Sequence, residues 1–205
     1  GVDQPNDART FMFHGFRPAT EPGMASIFRF DFEWDFDPEE LRSFTALVLQ
    51  AVECICGIGG YVLSPDEGEN AGQASDQMYA WAHRYWGAEA QDLEASPAGA
   101  SNGLPCVNWL TVIGPNLRTR DPAACNQAKE VAHSWFEAGG HTVIQAEERP
   151  RLIDRNRREP LGNYVPVAEA LLPLQVTHHP PFIGDSWDED NTMRYLRRFT
   201  HPDEV

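Results

Sequence analysis

Between Ile27 and Asp37 the chain alternates without a break. Phe28, Phe30, Phe32, Trp34 and Phe36 fall on one parity and Arg29, Asp31, Glu33, Asp35 and Asp37 on the other. Successive strand residues point to opposite faces, so the pattern predicts a strand with one aromatic face in a core and one charged face in water. Asp37-Pro38-Glu39-Glu40 follows with an N-cap, a proline for the first turn and a capping-box glutamate. The helix it starts carries Leu41, Phe44, Val48, Val52 and Ile55 on one stripe and stops at Gly57, with Gly57-Ile58-Gly59-Gly60 as a helix-to-strand turn.

Further along, Tyr61–Ser64 reads as a short strand and Pro65–Gly72 as an acidic loop. Ser75 then caps a second helix whose Met78, Trp81, Ala82 and Tyr85 share a face, ending at Gly87. Ala95–Pro105 is a small-residue loop, and Val107–Ile113 a strand whose Trp109-Leu110 pair suggests burial on both faces. Asp121-Pro122 repeats the cap-plus-proline start, for a helix with Ala124, Ala128, Val131 and Trp135 inward, closed by Gly139-Gly140. His141–Ala146 is another strand, Asn163–Leu172 a short helix stopped by Pro173, and Asp190–Phe199 a terminal helix.

This order predicts a single α+β domain: a sheet, mixed in direction, with helices packed on it. Residues 27–87 and 107–172 hint at a strand–helix–strand–helix pseudo-repeat. The 205 residues divide into an N-terminal segment 1–24, the α+β domain 25–200 and a tail 201–205. A chain of this length builds its core without disulfides or metals. The four cysteines, Cys54, Cys56, Cys106 and Cys125, have neither C-x-x-C nor zinc spacing and read as buried free thiols.

Charge is the compositional fact that bears on function. The net charge is −15, and residues 1–110 hold 17 acids against 5 arginines, whereas residues 111–205 hold 14 acids against 11 basic residues. Such a field repels phosphate backbones, disfavouring direct nucleic-acid binding, and speeds encounter with a basic partner. The longest apolar run, Ala46–Val52, is interrupted by Gln50 and falls far short of the ~20 residues that span a bilayer. A soluble, cytoplasmic protein is the expectation.

Asp31, Glu33 and Asp35 sit on one parity, about 7 Å apart in a strand, and paired carboxylates can hold a divalent cation or act as acid and base. The regular, unpocketed series instead suggests a solvated face or a partner-binding surface. His178-His179 cannot place both rings on one helical face. His83 and His133 sit beside aromatics, and no H-E-x-x-H, G-x-S-x-G or phosphate-binding glycine motif occurs. The arginines of Arg149–Arg158 are read as pairing internally with acids, around a turn fixed by Asp154 and Asn156. No reaction machinery stands out, which favours a binding protein without a cofactor.

Several stretches carry a resemblance: Arg84-Tyr85-Trp86-Gly87, Val107-Asn108-Trp109-Leu110-Thr111-Val112-Ile113-Gly114, and Ile153-Asp154-Arg155-Asn156-Arg157 with Pro160 and Tyr164 following. Ala168, Leu171 and Leu172, then Trp187 and Arg197-Arg198-Phe199, complete the series. In their order they resemble a family of type VI secretion immunity proteins, over roughly residues 25–200. One departure is that the family motif begins Gly-Asp, whereas Ile153 precedes Asp154 here. The resemblance implies an antitoxin-like protein in the producer's cytoplasm. It would bind and neutralise a cognate effector, often a nuclease of the restriction-endonuclease type. An acidic inhibitor fits a nuclease's basic groove as a phosphate mimic. The acidic first half then supplies the expected contacts: Asp31, Glu33, Asp35 and Asp37 on the strand, and Asp66, Glu67 and Glu69 in the loop. The rival readings are a metal-dependent hydrolase built on the acidic strand and a scaffolding component of a secretion apparatus. Self-pairing is left open.

Overall fold

The computed structural model describes residues 10–14, 26–32, 35–63, 71–90, 92 and 95–203, with the backbone alone for 10–14 and 71–74. Strands β1 (Thr10–His14) and β2 (Ile27–Asp31) pair antiparallel, with Phe11 opposite Phe30. The predicted strand is therefore real but stops at Asp31, and Asp35 lies in a turn. Its aromatic parity packs on the first helix without sealing: Phe44 meets Phe30 and Phe32 edge-on at 5.0 and 5.1 Å, whereas Phe28 stays 46% exposed. That helix, α1 (Pro38–Ala51), starts as expected, the Asp37 carboxylate accepting the Glu39 N–H at 2.7 Å. It ends at Val52, before the predicted Gly57.

The residues after α1 form strand β3 (Cys56–Gly59), not a turn. Gly59 serves close approach, since a Cβ there would meet the Leu110 side chain at 3.3 Å, whereas one on Gly57 would make ordinary contact with Val112 at 3.5 Å. β4 (Tyr61–Leu63) leads on to α2 (Ala71–Arg84) and β5 (Ala88–Ala90), which pairs parallel with β4. Ser75 lies inside α2, not at its cap, and its hydroxyl donates to the Ile183 carbonyl at 2.7 Å. Met78 and Ala82 are buried as expected, but Trp81 points out, 45% exposed. The small-residue stretch 95–105 holds a short helix, α3 (Ala95–Ala100).

β6 (Leu110–Ile113) is buried along its length, with both faces covered as the Trp109-Leu110 pair suggests. Two helices missed or misdrawn from sequence follow. α4 (Pro115–Arg120) was not expected, and α5 (Pro122–Val131), capped by Asp121, ends well before Trp135. Trp135 belongs instead to β7 (Ser134–Ala138) and is 47% exposed beneath the Lys129 ammonium, 4.2 Å from its ring centroid. Gly139 and Gly140, at φ 54° and 84°, make the tight turn into β8 (His141–Gln145), which explains why this glycine pair is not a helix stop. α6 (Tyr164–Leu171) and α7 (Glu189–Leu196) fall close to where periodicity puts them.

The main sheet runs β3-β6-β8-β7 and is antiparallel throughout; among the described strands β4 and β5 pair parallel. The fold is α+β, but direction is not mixed within the four-stranded sheet. The suggested pseudo-repeat does not appear in the topology either: β2, β3 and β4 fall in three sheets, whereas β6, β7 and β8 share one. One core lies between the sheet and α5–α6, centred on Trp109, Ile144, Val167 and Leu171. A second, aromatic core gathers Met78, Phe182, Trp187 and Tyr195 between α2 and α7.

Candidate partner-binding surface

The Arg84–Gly87, Ile153–Arg157, Tyr164 and Arg197–Phe199 stretches meet in a single knot. Arg84 bridges to Asp154 at 2.8 Å, Trp86 N–H donates to the Ile153 carbonyl at 3.2 Å, and the Arg155 guanidinium lies 4.1 Å over the Trp86 ring. Arg198 Nε donates to the Trp86 carbonyl at 2.8 Å, and Phe199 stacks on Tyr164 at 5.0 Å. Ile153 is fully buried with φ at 57°, a left-handed backbone in which glycine is at ease and a β-branched residue is strained. The backbone thus holds a conformation that glycine adopts more readily than isoleucine. This knot holds the fold together. The Arg84 hydrogen bond keeps the Asp154 carboxyl below its ordinary pKa against the opposing effect of burial, helped by the Asn156 N–H. The turn is fixed by Asp154 and Asn156, as expected; of the stretch's arginines, Arg157 pairs with Asp154 at 3.6 Å, whereas Arg155 packs on Trp86.

The acidic residues of the first half are differently placed. Asp31 and Arg29 share a strand face and pair with each other at 2.7 Å. Asp35 is exposed in the turn before α1, and Asp37 is spent on the α1 cap. The series is not one continuous strand face, because the strand ends at Asp31. Glu33, Asp66, Glu67 and Glu69 lie outside the described residues. A further acidic surface escaped the sequence reading. Asp185, Asp188, Glu189 and Asp190 are exposed, and Ser186 ties this segment to exposed Asp76 on α2 at 3.0 Å. The signal was four acids in six residues at 185–190.

Between residues 26–32 with α1 on one side and β3 with α3 on the other lies a cleft of about 700 Å³. Its walls are aromatic and aliphatic (Phe30, Phe44, Ile58, Leu104), with Glu89, Cys106 and His179 among the polar groups. Glu89 Oε2 accepts from Arg198 Nη2 at 2.9 Å and from the Cys106 thiol at 2.9 Å, all three side chains being buried. Burial and the Glu89 charge hold the Cys106 thiol far above its ordinary pKa, so it remains a protonated donor. Burial likewise lowers His179, which stays neutral and turns Nδ1 toward the Pro180 carbonyl at 2.7 Å. Burial and Glu53 push the Cys54 thiol up to about 11, and burial with Cys54 pushes Cys56 up to about 12. All four cysteines are free. Among the described residues, no group of three or more His, Cys, Asp or Glu side chains is arranged to hold a metal ion.

A family model described as "TsiV: Type VI immunity for VRR-NUC" matches residues 1–199. Among solved structures, the chain is similar to the Pseudomonas aeruginosa T6SS protein PA0821, with a TM-score of 0.69 and 18% identity. The match covers 94% of this chain and 58% of that one, so the chain spans under two thirds of that protein's length. At such identity the likeness is one of fold. No curated protein matches the sequence.

Proposed function

This chain belongs to the TsiV family, type VI immunity for VRR-NUC, and from that premise we propose that it neutralises a VRR-NUC nuclease effector by sealing the effector's substrate groove. It is an immunity protein, and its family's role is inhibition. Binding by occlusion requires a surface complementary to a groove that normally holds DNA. The observation that carries the reading is the excess of carboxylates, 17 acids against 5 arginines, in residues 1–110. A basic groove meets such carboxylates as it meets phosphates, with attraction screened beyond ~8 Å at physiological salt. Asp31, Glu33, Asp35 and Asp37, together with the Asp66, Glu67 and Glu69 loop, are the proposed contacts. Asp35 and the loop acids lead, because Asp31 and Asp37 already serve Arg29 and the α1 cap.

The proposed place of action is the producer's cytoplasm; among the described residues no helix is long and apolar enough to cross a membrane. The test is a nuclease assay in which purified chain is titrated into the cognate effector, with complex mass read by light scattering. Stoichiometric loss of cleavage is expected, and the mass reports whether one copy or two enter the complex. Reversing Asp35, Asp66, Glu67 and Glu69 to lysine should weaken binding by at least ~2 kcal/mol, with the native circular dichroism spectrum retained. Unchanged affinity in a folded variant would remove these residues from the interface.

A further inference from the structure

We propose that the cleft beside β3 receives an extended, basic segment of the effector, which adds a strand to β3 and sets a cationic side chain against Glu89. This rests on the immunity reading above.

The first observation is the state of the β3 edge. Among the described residues β3 has one neighbour in its sheet, β6, and residues 56–60 line the cleft. In an antiparallel pair, hydrogen-bonded and non-bonded residue pairs alternate. The Gly114 N–H donates to the Ile55 carbonyl at 2.9 Å, which fixes the phase. Gly57 and Gly59 accordingly bond to Val112 and Leu110, their partners in register. Cys56 and Ile58 turn N–H and C=O away from β6, toward the cleft. The β6–β8 ladder gives the same phase independently, since the Ala146 N–H donates to the Trp109 carbonyl at 2.9 Å, leaving Leu110 and Val112 for β3. An open edge of this kind is a template for strand addition.

Charge selects the occupant. Glu89 is 4% exposed, and its Oε2 is held by Arg198 and Cys106. Its other oxygen, Oε1, takes no hydrogen bond from the described residues, and Glu89 forms part of the cleft wall. Among the described residues the cleft wall holds Asp31, Glu53 and Glu89 against Arg29, with Arg198 buried behind Glu89, a balance that stays negative. An apolar, anionic trough of about 700 Å³, within the ~300–1,000 Å³ of ordinary ligand sites, suits four or five extended residues bearing apolar groups and one lysine or arginine.

The test compares amide hydrogen exchange of the whole chain, free and bound to the cognate effector, residue by residue. The Cys56 and Ile58 amides should exchange readily in the free chain and become protected in the complex, whereas Gly57 and Gly59 are slow in both. Ile58→Pro removes an outward donor without touching the β6 ladder, so it should leave the chain folded. It should weaken effector binding by about tenfold or more beyond the loss seen with Ile58→Ala. Glu89→Gln should weaken binding too, and because it also leaves Arg198 unpaired this is read only with the native circular dichroism spectrum retained. If the chain inhibits the effector while the Cys56 and Ile58 amides stay unprotected and Ile58→Pro binds as Ile58→Ala does, this inference fails and the immunity mechanism stands. Protection of both amides in the free chain would mean that its own residues or a second copy cover the edge, which overturns the inference. Absence of any complex overturns both readings.

Discussion

Arg198 Nη2 lies 2.9 Å from Glu89 Oε2 with both side chains buried, pinning the C-terminal segment to β5 across 109 residues of sequence. Tyr195 sits in the same network, its hydroxyl donating to the Ala88 carbonyl and accepting from the Ala90 N–H, at 2.7 and 2.8 Å. Burial opposes the Arg198 charge, but Tyr195 and Glu89 around it keep the guanidinium protonated, with its pKa above the ordinary value.

Removing one partner of such a pair leaves an uncompensated buried charge. Arg198→Met should therefore cost about 3–5 kcal/mol of stability. Adding Glu89→Leu to it should recover part of that loss, because the orphaned carboxylate goes too. Denaturant unfolding of the single and double variants checks this; equal stability of both would mean that Glu89 gains compensation elsewhere.

Trp109 has no exposed surface, and its indole N–H donates to the Glu147 carbonyl at 2.8 Å. Trp109→Ala should cost about 3–5 kcal/mol through cavity formation and the lost bond. Inhibition of the effector would then fail through unfolding. Thermal melts followed by circular dichroism measure the shift.

Ile153 poses two opposed effects. Its φ of 57° costs roughly 1–2 kcal/mol for a residue with a side chain, which Ile153→Gly would relieve. The same change empties a fully buried site, at about 2–5 kcal/mol by analogy with isoleucine truncation to alanine. Packing outweighs strain, so Ile153→Gly should be destabilised by about 1–3 kcal/mol. A stabilised variant in chemical denaturation would show that the strain is the larger quantity.

Asp154 gives a pH signature. Its folded pKa is depressed, first by the Arg84 hydrogen bond, so its stabilisation is present above the unfolded carboxyl value of about 3.9. That contribution is lost as pH falls through the lower, folded value. Asp154→Asn should be less stable than the parent at pH 7, and the gap should close as the pH drops below about 4. Urea midpoints for both proteins across that range read it directly; a gap that is independent of pH would mean the carboxylate charge contributes nothing.

What the sequence determined by itself is what adjacent residues decide among themselves. Asp37-Pro38 and Asp121-Pro122 start α1 and α5 because cap and proline act within one turn, and the Asp121 carboxylate indeed accepts the Ala124 N–H at 2.9 Å. The β2 alternation, the burial of Trp109 and the convergence on an immunity family were legible for the same reason: each is carried by local pattern or by residues in order along the chain. Tertiary structure alone decided the rest. Gly139-Gly140 reads equally as a helix stop or a hairpin turn, and only the place of β7 beside β8 makes it a turn and puts Trp135 on an exposed edge. Gly57 and Gly59 look like turn residues until β6 pairs with them. The acidic series from Asp31 to Asp37 splits because the strand ends, and an end depends on which partner is present to pair with. Glu89 was one acid among 31 in the sequence. Its pairing with Arg198 and its place in the cleft wall arise only when distant segments meet, since buried charge is tolerated where a partner is brought to it.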